Sequence, residues 1–130
     1  MALYLLDSNI LIALVSTSHV DHKRCVDWIE ADNTLAICPI TQGALTRFVL
    51  RNNGLVADVQ AALRTLATLP NWVFWPDDLS YAEANLGNIH GHRQVTDAYL
   101  AALAEARGAK LATMDVGLAI THPGVATLIR

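Results

Sequence analysis

Apolar residues fall along this chain in two rhythms. Short, largely apolar runs occur at Leu3-Tyr4-Leu5-Leu6, Leu35-Ala36-Ile37-Cys38, Val73-Phe74-Trp75 and Lys110-Leu111-Ala112-Thr113-Met114. Runs of that length read as strands buried on both faces. Between them lie stretches of helical period: Ser8 to Val15, His19 to Ala31, Thr41 to Arg51, Leu55 to Leu69, Leu79 to Leu86 and Thr96 to Arg107. Pro39, Pro70 and Pro76 punctuate the pattern, Gly54 offers a helix stop and Gly108 a C′ glycine. Gly87 to Gln94 breaks the period and reads as an exposed loop, and Val125 to Ile129 offers a short fifth strand. Strands alternating with helices predict an α/β fold, a three-layer α/β/α sandwich around a parallel sheet of four to five strands.

Composition narrows the picture. A chain of 130 residues, 53% hydrophobic and 16% charged, suits one domain over residues 1–130 and excludes a disordered polypeptide. No apolar run approaches the roughly 18 residues of a membrane helix, and the amino terminus lacks a basic n-region, so a cytoplasmic location is expected. Cys25 and Cys38 match no tight metal spacing and read as reduced, buried thiols. The net charge of −3 argues against a general nucleic-acid binder. It leaves room for a narrow nuclease, because a carboxylate cluster that binds metal has its charge cancelled by the ion.

Three aspartates carry the candidate chemistry. Asp7 ends the first strand and faces the helix that begins at Ser8; Asp115 follows the Lys110 run in the same way. Ligands of open parallel sheets bind outside the carboxyl ends of the strands. Asp97 lies near the start of a helix, with Leu100, Ala101 and Ala104 continuing its face. A carboxylate on that stripe points inward and needs a cation for a partner. Taken singly, Asp7 and Asp115 are equally well explained as N-caps, and Asp97 as an acidic residue favoured by the helix dipole. Taken together, three hard oxygen donors at one sheet edge suit Mg²⁺ or Mn²⁺.

In order and spacing the chain resembles the PIN-domain ribonucleases, specifically the VapC-type toxins of bacterial toxin–antitoxin pairs. The likeness rests on Leu5-Leu6-Asp7-Ser8-Asn9-Ile10-Leu11, Cys38-Pro39-Ile40-Thr41-Gln42 with Arg47, Thr96-Asp97-Ala98-Tyr99-Leu100, and Leu111-Ala112-Thr113-Met114-Asp115-Val116-Gly117-Leu118. The resemblance implies that Asp7, Asp97 and Asp115 coordinate Mg²⁺ (or Mn²⁺) and are the catalytic residues. It implies that Asn9 and Thr113 steady the site, and that Arg47 holds a carboxylate or a phosphate. It further implies RNA as substrate, cleavage to a 3′-hydroxyl and a 5′-phosphate, a homodimer, and a small cognate antitoxin. One position departs: Gln42 stands where many members carry a glutamate, which leaves the number of metal ions open.

Other features weigh less. His19-x-x-His22 and His90-x-His92 bring no third ligand and read as solvated histidines. His90, His92 and Arg93 precede Asp97 on a loop that reads as an ordinary polar segment or, less simply, as an RNA-facing rim. Trp28, Trp72 and Trp75 read as packing residues. The alternative from another class is a non-catalytic PIN-like module that binds RNA or protein. An Asp-phosphorylated domain fits poorly, since Asn9 stands where a dehalogenase-like phosphatase has its second acid and Lys110 begins its strand instead of ending it.

Overall fold

A computed structural model describes residues 2–29 and 32–130. Five strands, β1 (Leu3–Leu6), β2 (Thr34–Ile37), β3 (Trp72–Phe74), β4 (Lys110–Thr113) and β5 (Ala126–Leu128), form one sheet in the order β3-β2-β1-β4-β5. Every pairing is parallel, with Leu5 opposite Ala36 on one side and Leu111 on the other. The chain winds outward from β1 through β2 to β3, then returns to place β4 on the other flank of β1. The direction of winding therefore reverses between β1 and β4, the position at which open α/β sheets bind ligands.

Alternation along each strand divides the core between the two faces. Leu5, Ala36 and Leu111 pack with Tyr99, Leu100 and Leu103 of α5 (Val95–Ala106) and with Leu118 of α6 (Val116–Thr121). Leu6, Leu35, Ile37 and Ala112 pack on the opposite face with Ile10, Leu11, Cys25, Leu45 and Val59. Those residues come from α1 (Ser8–Val15), α2 (His22–Trp28), α3 (Pro39–Arg51) and α4 (Val56–Ala67). The expected three-layer α/β/α arrangement is thus realised, and α5 is buried almost all round because strands and loop cover it on several sides. Among the described residues, no helix is long and apolar enough to cross a membrane.

Two expectations change. Leu79 to Leu86 is not a helix but a series of turns. Glu83 and Ala84 N–H both donate to Ser80 O, Ser80 Oγ accepts from Ala82 N, and Asn85 Oδ1 accepts from Gly87 N. These local bonds satisfy the backbone within one turn, too short a stretch to nucleate a helix. Tyr99 holds the segment instead, donating from Oη to Leu79 O at 2.8 Å and stacking on Tyr81 at 4.8 Å. The helix expected over His19 to Ala31 begins at His22, since Asp21 N–H is taken by His19 Nδ1, and runs to Trp28; Ala31 lies outside the described residues.

The ends of α3 and α5 differ in kind. Gly108 adopts φ +68° after α5, as expected of a C′ glycine, and Ala109 N–H reaches back to Ala104 O at 2.9 Å. After α3 the left-handed residue is Asn53, at φ +65°. Gly54 is required by proximity: a Cβ there would collide with the Val49 side chain and lie 3.0 Å from Val49 O.

Candidate active site

β1 and β4 end side by side; Asp7 follows β1 directly, and Asp115 follows β4 after one intervening residue, Met114. Asp7 N–H donates to Ala112 O at 2.9 Å, which carries the ladder one step past β1 and fixes the aspartate backbone at the sheet edge. Asp7 and Asp115 are the N-caps of α1 and α6: Asp7 Oδ1 accepts from Ser8 N at 2.8 Å, and Asp115 Oδ1 from Leu118 N at 3.1 Å. The capping reading is therefore correct for both. It does not exhaust them, because capping leaves carboxylate lone pairs on each.

Thr113 joins the two. Its hydroxyl donates to Asp7 Oδ2 at 2.6 Å and accepts from Asp115 N–H at 3.0 Å, and the residue is fully buried. Asn9 Oδ1 accepts from Met114 N–H at 3.4 Å, a longer tie between α1 and the β4–α6 turn. Asp7 itself is 5% exposed, and burial raises its pKa against the lowering effect of the Thr113 and Ser8 hydrogen bonds.

Asp97 enters from the first turn of α5. Its side chain is half-buried and has no hydrogen-bond or ionic partner among the described residues. Burial pushes its pKa up to about 6, and the negative charges of Asp7 and Asp115 push in the same direction. Asp97 and Asp115 line one cleft of about 220 Å³, together with Gln94, Gly117, Leu118, Thr121 and His122. Among the described residues no three His, Cys, Asp or Glu side chains close around a single point, so the acids form an open cluster of like charges. An all-oxygen donor set with an unpaired carboxylate and mutual repulsion fits a hard divalent cation that keeps several of its waters.

The remaining expected residues are more dispersed. Gln42, in the first turn of α3, lines a different cleft with Ile37, Leu63, Leu66, Trp72 and Phe74, and no hydrogen bond joins it to the aspartates. Arg47 is exposed one turn further along α3 and forms no ion pair among the described residues. His22 Nδ1 bonds Ala13 O at 2.7 Å, a structural role, while His90, His92 and Arg93 are exposed just ahead of α5. Trp28 packs edge-on against Tyr4, and the Arg107 guanidinium covers the Trp75 ring at 5.1 Å.

Gln94, Thr121 and His122 were not singled out in the sequence. The signal was present: Gln94 lies three positions before Asp97, and Leu118 and His122 follow Asp115 at helical spacing, on one face of α6.

The PIN domain family matches residues 4–121 of the chain. Ribonuclease VapC29 of Mycobacterium tuberculosis is 47% identical over 126 residues, covering 96% of this chain and 95% of that protein. Ribonuclease VapC38 of the same species is 39% identical over 121 residues, covering 88% and 86%. Among solved structures, Rickettsia felis VapBC2 bound to a promoter DNA fragment superposes with a TM-score of 0.64 at 18% identity over 98% of this chain and 99% of that one. Mycobacterium tuberculosis VapC20, a toxin that cleaves the sarcin–ricin loop, gives the same TM-score at 14% identity and the same coverage. The chain belongs to the PIN-domain family, among the VapC ribonucleases.

Proposed function

We propose that the chain is a divalent-metal-dependent endoribonuclease, the toxin of a toxin–antitoxin pair, and that Asp7, Asp97 and Asp115 are its metal-holding catalytic residues. The observation that carries this reading is the mutual repulsion of Asp97 with Asp7 and Asp115 at the carboxyl edge of β1 and β4, with Asp97 unpaired among the described residues.

Mg²⁺ or Mn²⁺, when bound there, supplies Lewis acidity toward the scissile phosphate and lowers the pKa of the attacking water. Hydrolysis adds water at phosphorus and breaks the P–O3′ bond, giving a 5′-phosphate and a 3′-hydroxyl. The chain's own residues prepare the site. Thr113 fixes the rotamer of Asp7 and the backbone of Asp115 through one hydroxyl. Asn9 steadies the β4–α6 turn. Arg47, exposed on α3, offers its guanidinium to a phosphate of the RNA backbone. Gln42 brings no charge, so the aspartates alone supply the negative donors.

The substrates are a narrow set of structured RNAs, consistent with the overall charge of −3. The partners are an antitoxin and a second copy of the chain, in the cytoplasm. Exposed Leu50, Leu55, Val56 and Phe74 offer apolar area for such contacts.

Transcriptome-wide mapping of new 5′-phosphate ends tests the reading. Cells expressing the natural sequence should show a few sharp ends that cells expressing Asp97→Asn lack. Identical end profiles from two folded, equally abundant proteins would reject it.

A further inference from the structure

His122 belongs to two cavities at once. It lines the acidic cleft with Asp97 and Asp115, and it lines a neighbouring cleft of about 270 Å³ with Asn85, Asn88, Ala101, Glu105 and Val125. No other residue is common to both linings. His122 is 8% exposed, and its ring nitrogens have no hydrogen-bond partner among the described residues. Burial holds its pKa below the ordinary histidine value, so at neutral pH it presents an uncharged ring with one donor and one acceptor.

The second cleft has apolar walls and a polar rim. The walls come from Ala101 and Ala102 of α5 and from the turn between α6 and β5. At the rim, Asn88 Nδ2 donates to Thr121 O at 3.0 Å, which fixes the 77–94 loop against the end of α6 and leaves Asn88 Oδ1 without a partner among the described residues. Asn85 Oδ1 accepts from Gly87 N, and its amide Nδ2 has no partner among the described residues. Glu105 is exposed and unpaired among the described residues. No Lys or Arg is among the lining residues, and Lys110, at the edge, donates its Nζ to Gly124 O at 2.8 Å. A flat, uncharged heterocycle with both N–H donors and ring acceptors matches what the walls and rim offer.

We propose that this second cleft is a nucleobase subsite, which takes the unpaired base next to the scissile phosphate, with His122 as the partition between base and phosphate. The proposal rests on the ribonuclease reading above. Single-stranded RNA is read in this way, by splaying a base out, packing its face and hydrogen-bonding its edge. Glu105 accepts from an exocyclic or imino N–H, Asn85 Nδ2 donates to a ring acceptor, and the His122 ring meets the base across the partition. The cleft is therefore specificity-determining, not catalytic.

A hairpin RNA pool with a randomised eight-nucleotide loop tests this. Cleavage ends would be sequenced for the wild type, Asn85→Ala, Glu105→Gln and His122→Ala. In parallel, Asp97→Asn alone, and Asp97→Asn combined with Asn85→Ala, would select binders from the same pool. The expected result is a base preference at one position beside the cut that Asn85→Ala and Glu105→Gln each flatten about tenfold, the weight of one hydrogen bond to a charged or buried group, while preferences elsewhere in the loop persist. Asn85 and Glu105 are exposed, so these variants decide the matter even if His122→Ala unfolds. Unchanged preferences at every position in both variants would overturn the subsite and leave the ribonuclease reading intact. Absence of any wild-type ends would overturn the ribonuclease reading. The binding selection then still decides the subsite, supported by an enriched base that Asn85→Ala abolishes and overturned by none.

Discussion

Thr113 Oγ1 donates a 2.6 Å hydrogen bond to Asp7 Oδ2 while accepting from the backbone N–H of Asp115 at 3.0 Å. One hydroxyl thus sets the positions of two candidate metal ligands that are 108 residues apart in sequence (7 to 115). Thr113→Val keeps the shape and removes both bonds, leaving a buried carboxylate and an amide short of partners. The loss should be about 1–3 kcal/mol of stability in urea denaturation and about tenfold or more in metal affinity. Thr113→Ser should recover most of both. Full metal affinity in Thr113→Val would show that Asp7 needs no such support.

Asp97 is expected to cost the metal-free fold stability. Its folded pKa of about 6 stands above the ordinary 3.8, so the folded state favours the protonated form. That stabilisation is complete below pH 3.8 and is lost as pH rises through 6. At pH 7.5 in a chelator, Asp97→Asn should therefore melt above the wild type, by on the order of 4 °C once solvent screening is allowed for. Near pH 3.5 the difference should vanish. With Mn²⁺ at about 100 times its Kd the order should reverse, because only the wild type gains the roughly 2.7 kcal/mol of linkage. Equal melting curves in chelator at pH 7.5 would contradict the charge cluster.

How much of this was legible in the sequence depends on how local the physics is. β1, α1, β4 and the aspartates after them were readable, because a continuous apolar run followed by a capping residue leaves few alternatives. The 79–86 segment was misread because its apolar residues serve Tyr99, twenty positions from Leu79, and not a helix of their own. Gly54 was readable as a helix stop, but not that Asn53 would take the left-handed conformation while Gly54 is required by its approach to Val49. His122 stayed hidden since its significance comes from two cavities meeting, and no periodicity reports that.

Metal affinity should depend on pH through the same carboxyl. A cation held by Asp97 would bind its ionised form, so protons would compete with it below the pKa of about 6. Between pH 6 and pH 5 the apparent Kd for Mn²⁺ should rise about fivefold through Asp97 alone, and above pH 7 it should level off. Asp7, whose pKa burial also raises, makes the dependence steeper at lower pH. Titration of the protein with Mn²⁺, followed by its electron paramagnetic resonance, gives the curve. A Kd constant from pH 5 to pH 8 would remove Asp97 from the ligand set.

Substitution of Arg47 tests phosphate recognition separately from metal binding. Its side chain is exposed, packs within reach of Gly43 on the preceding turn of α3, and carries no ion pair among the described residues. α3 begins at Pro39, directly after β2, so its first turns stand at the same sheet edge as the aspartates. A free guanidinium there should act on RNA binding and leave both fold and metal affinity alone. Arg47→Ala should raise KM for a cleaved hairpin about tenfold with an unchanged Tm, and should reduce the slope of log K against log salt by about one phosphate contact, or 0.7 for a single strand. Arg47→Lys should restore the slope but only part of the affinity, since an ammonium cannot bind phosphate oxygens in the bidentate manner of a guanidinium. If Arg47→Ala instead lowered kcat at constant KM and constant salt slope, the arginine would act on the reacting phosphate itself.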